Sequence, residues 1–292
     1  MSVPVTPAEG PVLVIADPHW DSYAAQGLDP LIDNGLIGPR YAAVIAAGDL
    51  VSNARVSLAP ALLWLRKTFA PAAIFYFPGN HDFYHAGIEA DPRLRQITQS
   101  AGAIYAQMLE LIHAGNRYLC ATLWTDFDLG GDAARAMWQA KASMLDYRRL
   151  SMPPAWETGE IASNTTVAVG QPRLAVTPEA LRRLHFTQRN WIAERLAEPF
   201  AGRSMVVSHH APHPAVLGAL SGLSPAFGSD LTDLIQRHAP AVWFFGHTHR
   251  RLTATVGATE IRNVSIGYPS EAPHAASAEF IQGCVIARDG RG

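Results

Sequence analysis

The chain has 292 residues, 48% of them apolar and 16% charged, a globular composition with ample material for a core. A formal net charge of −2 leaves no electrostatic footprint for nucleic acid or for an anionic membrane. No run approaches the roughly 20 apolar residues of a membrane span, and the N-terminal MSVPVTPAEGPVLVIADPHW lacks the basic region of a signal sequence, so a soluble cytoplasmic protein is expected.

In chain order, VLVIA from Val12, AAVIAA from Ala42 and AIFYF from Ala73 read as buried strands. Between the second and third, SLAPALLWLRKTF places Leu58, Leu62, Leu65 and Phe69 at helical spacing. Strands alternating with helices argue for an α/β layered fold. From about Asp91 to Pro199 the rhythm changes. MLELIHAGNRYLCATL, with Cys120, predicts a hairpin turning near Ala114-Gly115-Asn116, and GDAARAMWQAKASMLDYRRL predicts a helical stretch. A Pro/Thr/Gly-rich loop around Met152–Pro178 precedes a long amphipathic helix, PEALRRLHFTQRNWIAERLAEP. MVVS from Met205 and AVWFF from Ala241 are again buried strands. The tail from Leu252 to Ala287 alternates and breaks at glycines, as antiparallel strands do. Cys120 and Cys284 lie far apart in apolar runs and read as small buried hydrophobes. With no repeat and no convincing linker, residues 1–292 form a single domain whose elaborated middle, about 91–199, supplies part of a pocket wall.

Each of the five buried runs ends in polar residues of one chemical kind: Asp17-Pro18-His19, Gly48-Asp49, Pro78-Gly79-Asn80-His81-Asp82, His209-His210 and Gly246-His247-Thr248-His249. Loops at the carboxyl ends of α/β strands converge on one crevice. Carboxylate, imidazole and amide oxygen together suit divalent Mn, Fe or Zn. The inventory exceeds what one ion uses, so two ions sharing a carboxylate are expected, with Asp49 as the bridge. Gly48, Gly79 and Gly246 precede ligands where the chain turns without room for a Cβ. In an extended segment residues two apart point the same way, which lets His247 and His249 both face the metals while Thr248 points away.

DPH, GD, GNHD, a strand-end His and GHTH, in that order from Asp17 to His249, resemble the calcineurin-like metallophosphoesterase superfamily. The resemblance implies an αββα sandwich: two stacked mixed β-sheets flanked by helices. It assigns Asp17, His19, Asp49 and His249 to one metal and Asp49, Asn80, His209 and His247 to the other. His209 aligns with the family's single histidine, which leaves His210 to face substrate. Two divalent ions about 3.5–4 Å apart hold a bridging hydroxide at neutral pH. That hydroxide attacks the phosphoryl group in line, and His81 protonates the leaving group. Manganese is the favoured metal. Asp82 has two readings, orienting His81 or capping the following turn.

The departures narrow the substrate. Protein Ser/Thr phosphatases of the superfamily carry an aspartate three residues beyond the bridging Asp, then an arginine; here Ser52 and Asn53 stand there, and Asp82 replaces their glutamate. Protein phosphatase activity is therefore disfavoured, and a small phosphomonoester, phosphodiester or nucleotide is expected. ATLWTDF and MLDYRRL resemble bacterial members of the superfamily. His210, His85, Trp124 and Arg148 are candidate substrate contacts, with Tyr84, Asp126, Asp146, Tyr147 and Arg149 beside them. Arg250 and Arg251 have two readings, a second phosphate site or a covered surface. A non-catalytic metal-binding scaffold is the rival function; its signature is ligand loss, and every expected ligand is present. Monoesterase or diesterase activity and oligomeric state stay open.

Overall fold

The computed structural model describes residues 2–4, 10–32, 36, 41–157, 172–271 and 278–286. After β1 (Ser2–Pro4), the strand β2 (Val12–Ile15) is buried along its whole length. Helix α1 (Trp20–Ala24) leads to β3 (Ala43–Ala47), then α2 (Ala54–Phe69) and β4 (Ala73–Phe77). β2, β3 and β4 lie parallel, with Val14 beside Ile45 and Ile45 beside Phe75. Parallel strands covered on both faces need near-continuous apolar sequence, which these runs supply. α2 turns Leu58, Leu62, Leu65 and Phe69 inward, as their spacing requires.

Helix α3 (Asp91–Ser100) and β5 (Ile104–Tyr105) precede the hairpin of β6 (Leu109–His113) and β7 (Asn116–Ala121). Its turn is the pair Ala114-Gly115, both at positive φ (48° and 74°), and Asn116 already faces His113 across the ladder. Two left-handed residues match the twist of the flanking strands. The predicted helical stretch is broken into α4 (Ala133–Ser143) and α5 (Asp146–Arg149), because Met144 is extended. The break turns Asp146 into the interior, where it has partners. β8 (Ser151–Met152) pairs with β9 (Leu174–Ala175) at the two ends of the predicted loop, whose residues 158–171 lie outside the described residues. α6 (Pro178–Ala197) begins with Thr177 accepting from the Ala180 N–H at 3.2 Å, a side-chain N-cap.

The remaining strands are β10 (Arg203–Ser208), β11 (Val242–Phe245), β12 (Thr253–Val256), β13 (Thr259–Asn263) and β14 (Val285–Ile286), with α7 (Thr232–His238) and α8 (Ala278–Gly283) between them. Two mixed sheets result, ordered β14-β2-β3-β4-β5 and β1-β6-β7-β10-β11-β13-β12. α2 packs against β4 of the first sheet, and α6 and α7 against β7 and β12 of the second, giving the expected helix–sheet–sheet–helix layering. The five apolar runs are therefore divided: β2, β3 and β4 belong to one sheet, β10 and β11 to the other. A bridge between Ala16 and Ser265 ties the two sheets beside the Asp17 end of β2.

The tail departs from the sequence reading. β12 and β13 form the expected hairpin, yet β13 also runs parallel to β11, α8 follows, and β14 joins the first sheet antiparallel to β2. Residues beyond 286 lie outside the described residues. Cys120 and Cys284 are both buried and unpaired by a disulfide. Among the described residues no helix is long and apolar enough to cross a membrane.

Candidate metal centre

The loops that leave β2, β3, β4, β10 and β11 meet at one edge of the two sheets. They bring Asp17, His19, Asp49, Asn80, His81, His209, His247 and His249 together. Asp17, His19, Asp49, His247 and His249 all have left-handed backbone, with φ between 39° and 64°. His247 and His249 therefore do not sit in an extended segment. Two left-handed residues with Thr248 between them aim the imidazoles apart, and Thr248 Oγ1 accepts from the Asn263 amide at 3.0 Å.

The glycines are required by space. A Cβ on Gly79 would lie 2.3 Å from Asp49 Oδ1 and 2.6 Å from the His209 ring. On Gly246 it would lie 2.6 Å from Asp17 Oδ2, and on Gly48 2.4 Å from His209 Nδ1. Only Gly48 adds a positive φ to that demand, at 89°.

One side of the centre gathers Asp17, His19 and His249, whose ligand atoms lie within 4.8 Å of one another. His19 Nε2 and His249 Nε2 face each other at 3.1 Å, and His249 Nε2 is 3.7 Å from Asp17 Oδ1. The Asp17 carboxylate is oriented by the His247 N–H, at 3.1 and 2.9 Å to its two oxygens, and by the Ser265 hydroxyl at 2.5 Å. The other side gathers Asp49, His209 and His247. There His209 Nε2 is 3.4 Å from Asp49 Oδ2 and 3.1 Å from Asn80 Oδ1, while its Nδ1 donates to the Ala47 carbonyl at 3.0 Å. That hydrogen bond fixes the ring with Nε2 turned toward Asp49 and Asn80. A third grouping, of His19, Asp49 and His81, shares Asp49 with the second.

Electrostatics sets His19, His247 and Asp49 apart from His209 and His249. Burial, against the pull of Asp49, pushes the His19 imidazole down to about 3. Burial and the neighbouring His210 and His209 hold His247 well below the ordinary range. Both are thus neutral, the form in which imidazole donates a lone pair. Burial would raise the Asp49 pKa, but His209 and His81 overcome it and keep the carboxylate ionised. Burial likewise opposes charge on His209 and His249. The carboxylates of Asp49 and Asp17 still lift His209 to about 9, and Asp17 with Glu271 lifts His249 to about 9. Buried His19 Nδ1 and His247 Nε2 have no hydrogen-bond partner among the described residues. Unsatisfied buried polar atoms are costly, and two divalent ions would relieve this convergence of lone pairs. The donor set fits them.

The surrounding residues divide into supports and bystanders. Asp82 does neither of the two things expected of it. Its carboxylate accepts from the backbone N–H groups of Gly79 (2.9 Å), Val51 (3.0 Å) and Leu50 (3.4 Å), which locks the Asp49 and Asn80 loops together. Burial and the nearby Asp49 push its carboxyl up to about 8. Asp146 accepts from Asn80 Nδ2 at 2.7 Å and from the Tyr84 hydroxyl at 3.3 Å. With its NH₂ held by Asp146, the Asn80 amide turns its oxygen toward His209.

His210 donates to the Thr122 carbonyl at 3.3 Å, and its ring lies 5.2 Å from Trp124 and 4.3 Å from His247. With Asn80, Phe127, Asp146 and Tyr147 these three line a narrow cleft beside the centre. His85 and Arg148 are exposed and do not line it. Arg149 lies with its Cζ 5.5 Å from the Tyr84 ring centre.

The arginines after His249 face away from the clustered ligands. Arg250 donates to the Leu217 carbonyl at 2.8 Å. Arg251 donates to the Ser265 and Ile266 carbonyls at 3.2 and 3.3 Å and stacks over Phe280 at 3.9 Å. Two site neighbours carry no sequence signal: Glu271 accepts from His249 Nδ1 at 2.6 Å, and Tyr268 stacks on His19 at 3.9 Å between ring centres. Neither belongs to a motif, and no spacing in the sequence marks them.

The sequence model of the family described as calcineurin-like phosphoesterase matches residues 10–251. No curated protein matches the sequence. Among solved structures, a phosphopantetheinyl hydrolase from Mycobacterium tuberculosis is similar at a TM-score of 0.65 and 17% identity, over 89% of this chain and 90% of that one. A second, called a putative 5′-nucleotidase, from Staphylococcus aureus in complex with α-ketoglutarate, is similar at a TM-score of 0.46 and 13% identity, over 88% of this chain and 49% of that one.

Proposed function

Because the chain belongs to the calcineurin-like phosphoesterase family, we propose that it hydrolyses a phosphoester of a small molecule or nucleotide at a centre of two divalent ions. The observation that carries this reading is the position of Asp49, whose carboxylate lies within 4.8 Å of a ring nitrogen of His19 on one side and of His209 and His247 on the other. Asp17, His19, Asp49 and His249 would hold one ion, and Asp49, Asn80, His209 and His247 the other. Ions bound there supply Lewis acidity to the phosphoryl oxygens and a water-derived nucleophile at neutral pH.

The chain's own groups do the rest. His81 is half-buried at the rim with its Nε2 3.9 Å from Asp49 Oδ2, placed to hand a proton to the departing oxygen. Trp124 and His210 wall the cleft into which the rest of the substrate extends, and Asp146 keeps the Asn80 oxygen pointed inward. The donor set accepts Mn, Fe or Zn, with manganese favoured.

The test is hydrolysis of an aryl phosphate monoester and a bis-aryl phosphate diester by metal-stripped protein reloaded with Mn²⁺, Fe²⁺ or Zn²⁺. Turnover of at least one ester with at least one ion is expected. No turnover of either ester with any ion would sink the reading and leave a non-catalytic scaffold.

A further inference from the structure

The segment that follows β13 returns to the first sheet and runs alongside the end of β2. The Ile266 N–H donates to the Ala16 carbonyl at 2.8 Å and the Gly267 N–H to the Asp17 carbonyl at 3.0 Å. The next residue is Tyr268, seventeen positions beyond the span that matches the family, which ends at 251. Its ring lies flat on His19, 3.9 Å between centres at an interplanar angle of 12°. Its hydroxyl lies 3.3 Å from His81 Nδ1. The turn is pinned from its far end, since Glu271 Oε2 accepts from both the Tyr268 N–H (3.2 Å) and His249 Nδ1 (2.6 Å).

We propose that Tyr268 is the positioning residue of His81: its phenol oxygen accepts a hydrogen bond from Nδ1–H and thereby makes Nε2 the nitrogen that gives up and regains a proton. This deepens the phosphoesterase reading and rests on it. The geometry favours this direction because Nε2 is the nitrogen on the Asp49 side, where a substrate's departing oxygen must lie, while Nδ1 faces away toward the phenol. In the step itself the imidazolium Nε2–H bond breaks and an O–H bond forms on the leaving alkoxide. The Nδ1–H bond to Tyr268 persists, and His81 ends neutral. A water proton restores Nε2–H for the next turnover. Without the phenol, a neutral imidazole would prefer the Nε2–H form and present the wrong nitrogen to water. Stacking on His19 is the brace that holds the phenol in place, and Tyr268→Phe keeps that brace while deleting only the oxygen.

The test compares wild type, Tyr268→Phe and His81→Ala on an aryl phosphate, whose leaving group needs no proton, and an alkyl phosphate, whose alkoxide does. Tyr268→Phe is expected to lower the alkyl-to-aryl ratio of kcat about tenfold, a fraction of the roughly 10²–10⁴-fold worth of a general acid. KM and metal content should stay near wild type, and His81→Ala should shift the ratio further in the same direction. Equal losses on both esters, or no change in the ratio, would overturn the proposal. A flat ratio in His81→Ala would remove His81 as donor and Tyr268 with it. A wild type inert on both esters would instead refute the phosphoesterase reading itself.

A second measurement is independent of turnover. In the Zn²⁺-loaded protein, ¹⁵N signals of neutral His81 should report the Nδ1–H tautomer in wild type and the Nε2–H tautomer in Tyr268→Phe; identical tautomers would count against the role.

Discussion

The two sides of the centre are built alike but supported from different parts of the chain. The side of Asp17, His19 and His249 is steadied by the tail, through Ser265, Tyr268 and Glu271. The side of Asp49, Asn80, His209 and His247 is steadied by the middle region and the protein interior, through Asp146 and the Ala47 carbonyl. In each case a carboxylate outside the motifs fixes one candidate ligand: Glu271 holds His249, and Asp146 holds Asn80. The supports differ in burial, since Glu271 is half exposed while Asp146 is enclosed. A hydrogen bond out of water is harder to replace, so the interior side should be the more sensitive to losing its support.

The comparison breaks most completely at Asp49, which the proposed reading assigns to both sides. Asp49→Asn should release both ions together and abolish turnover, read by metal analysis beside activity; retention of one ion would show that the two sides do not depend on a common carboxylate. Next in size is Asp146→Ala. Losing a partner that orients a ligand typically costs about 10–100-fold in metal affinity, and here the loss should fall on one of two titration steps in calorimetry. Equal weakening of both steps would mean that Asp146 acts on the fold and not on Asn80. Smallest should be Glu271→Ala, with less than about tenfold weakening, confined to the other step and reduced by added salt, because solvent already screens that pair.

The strand framework was legible because its signal is local. β2, β3, β4 and β11 are continuous apolar runs and β10 contains one at Met205–Val207, each bounded by glycine or a polar cluster, and burial on both faces leaves those stretches no alternative sequence. Their distribution over two sheets was not legible, since every such run looks the same whichever sheet it enters. The candidate ligands were visible because each stands within a few residues of the end of an apolar run, three of those ends being marked by Gly48, Gly79 and Gly246. Their supports were hidden by distance along the chain. Asp146 is 66 residues from Asn80, and Tyr268 is 187 from His81. Asp146 was marked only as a contact of the middle region, and the break between α4 and α5 that turns it inward has no Gly or Pro to announce it. For His247 and His249 the residues were identifiable but the backbone was not, because histidine gives little warning of a left-handed conformation.

That left-handed backbone has a wider consequence. Non-glycine residues held there cost on the order of 1 kcal/mol each, and the five at this edge sit side by side. The molecule thus keeps five of the twelve non-glycine positive-φ residues among those described where its most demanding chemistry would occur, and holds them with two sheets' worth of rigid strand. A thermostability selection blind to activity would find its gains here first, by replacing such residues with glycine. Proteins that emerged from it would be sturdier, similar in outline, and inert.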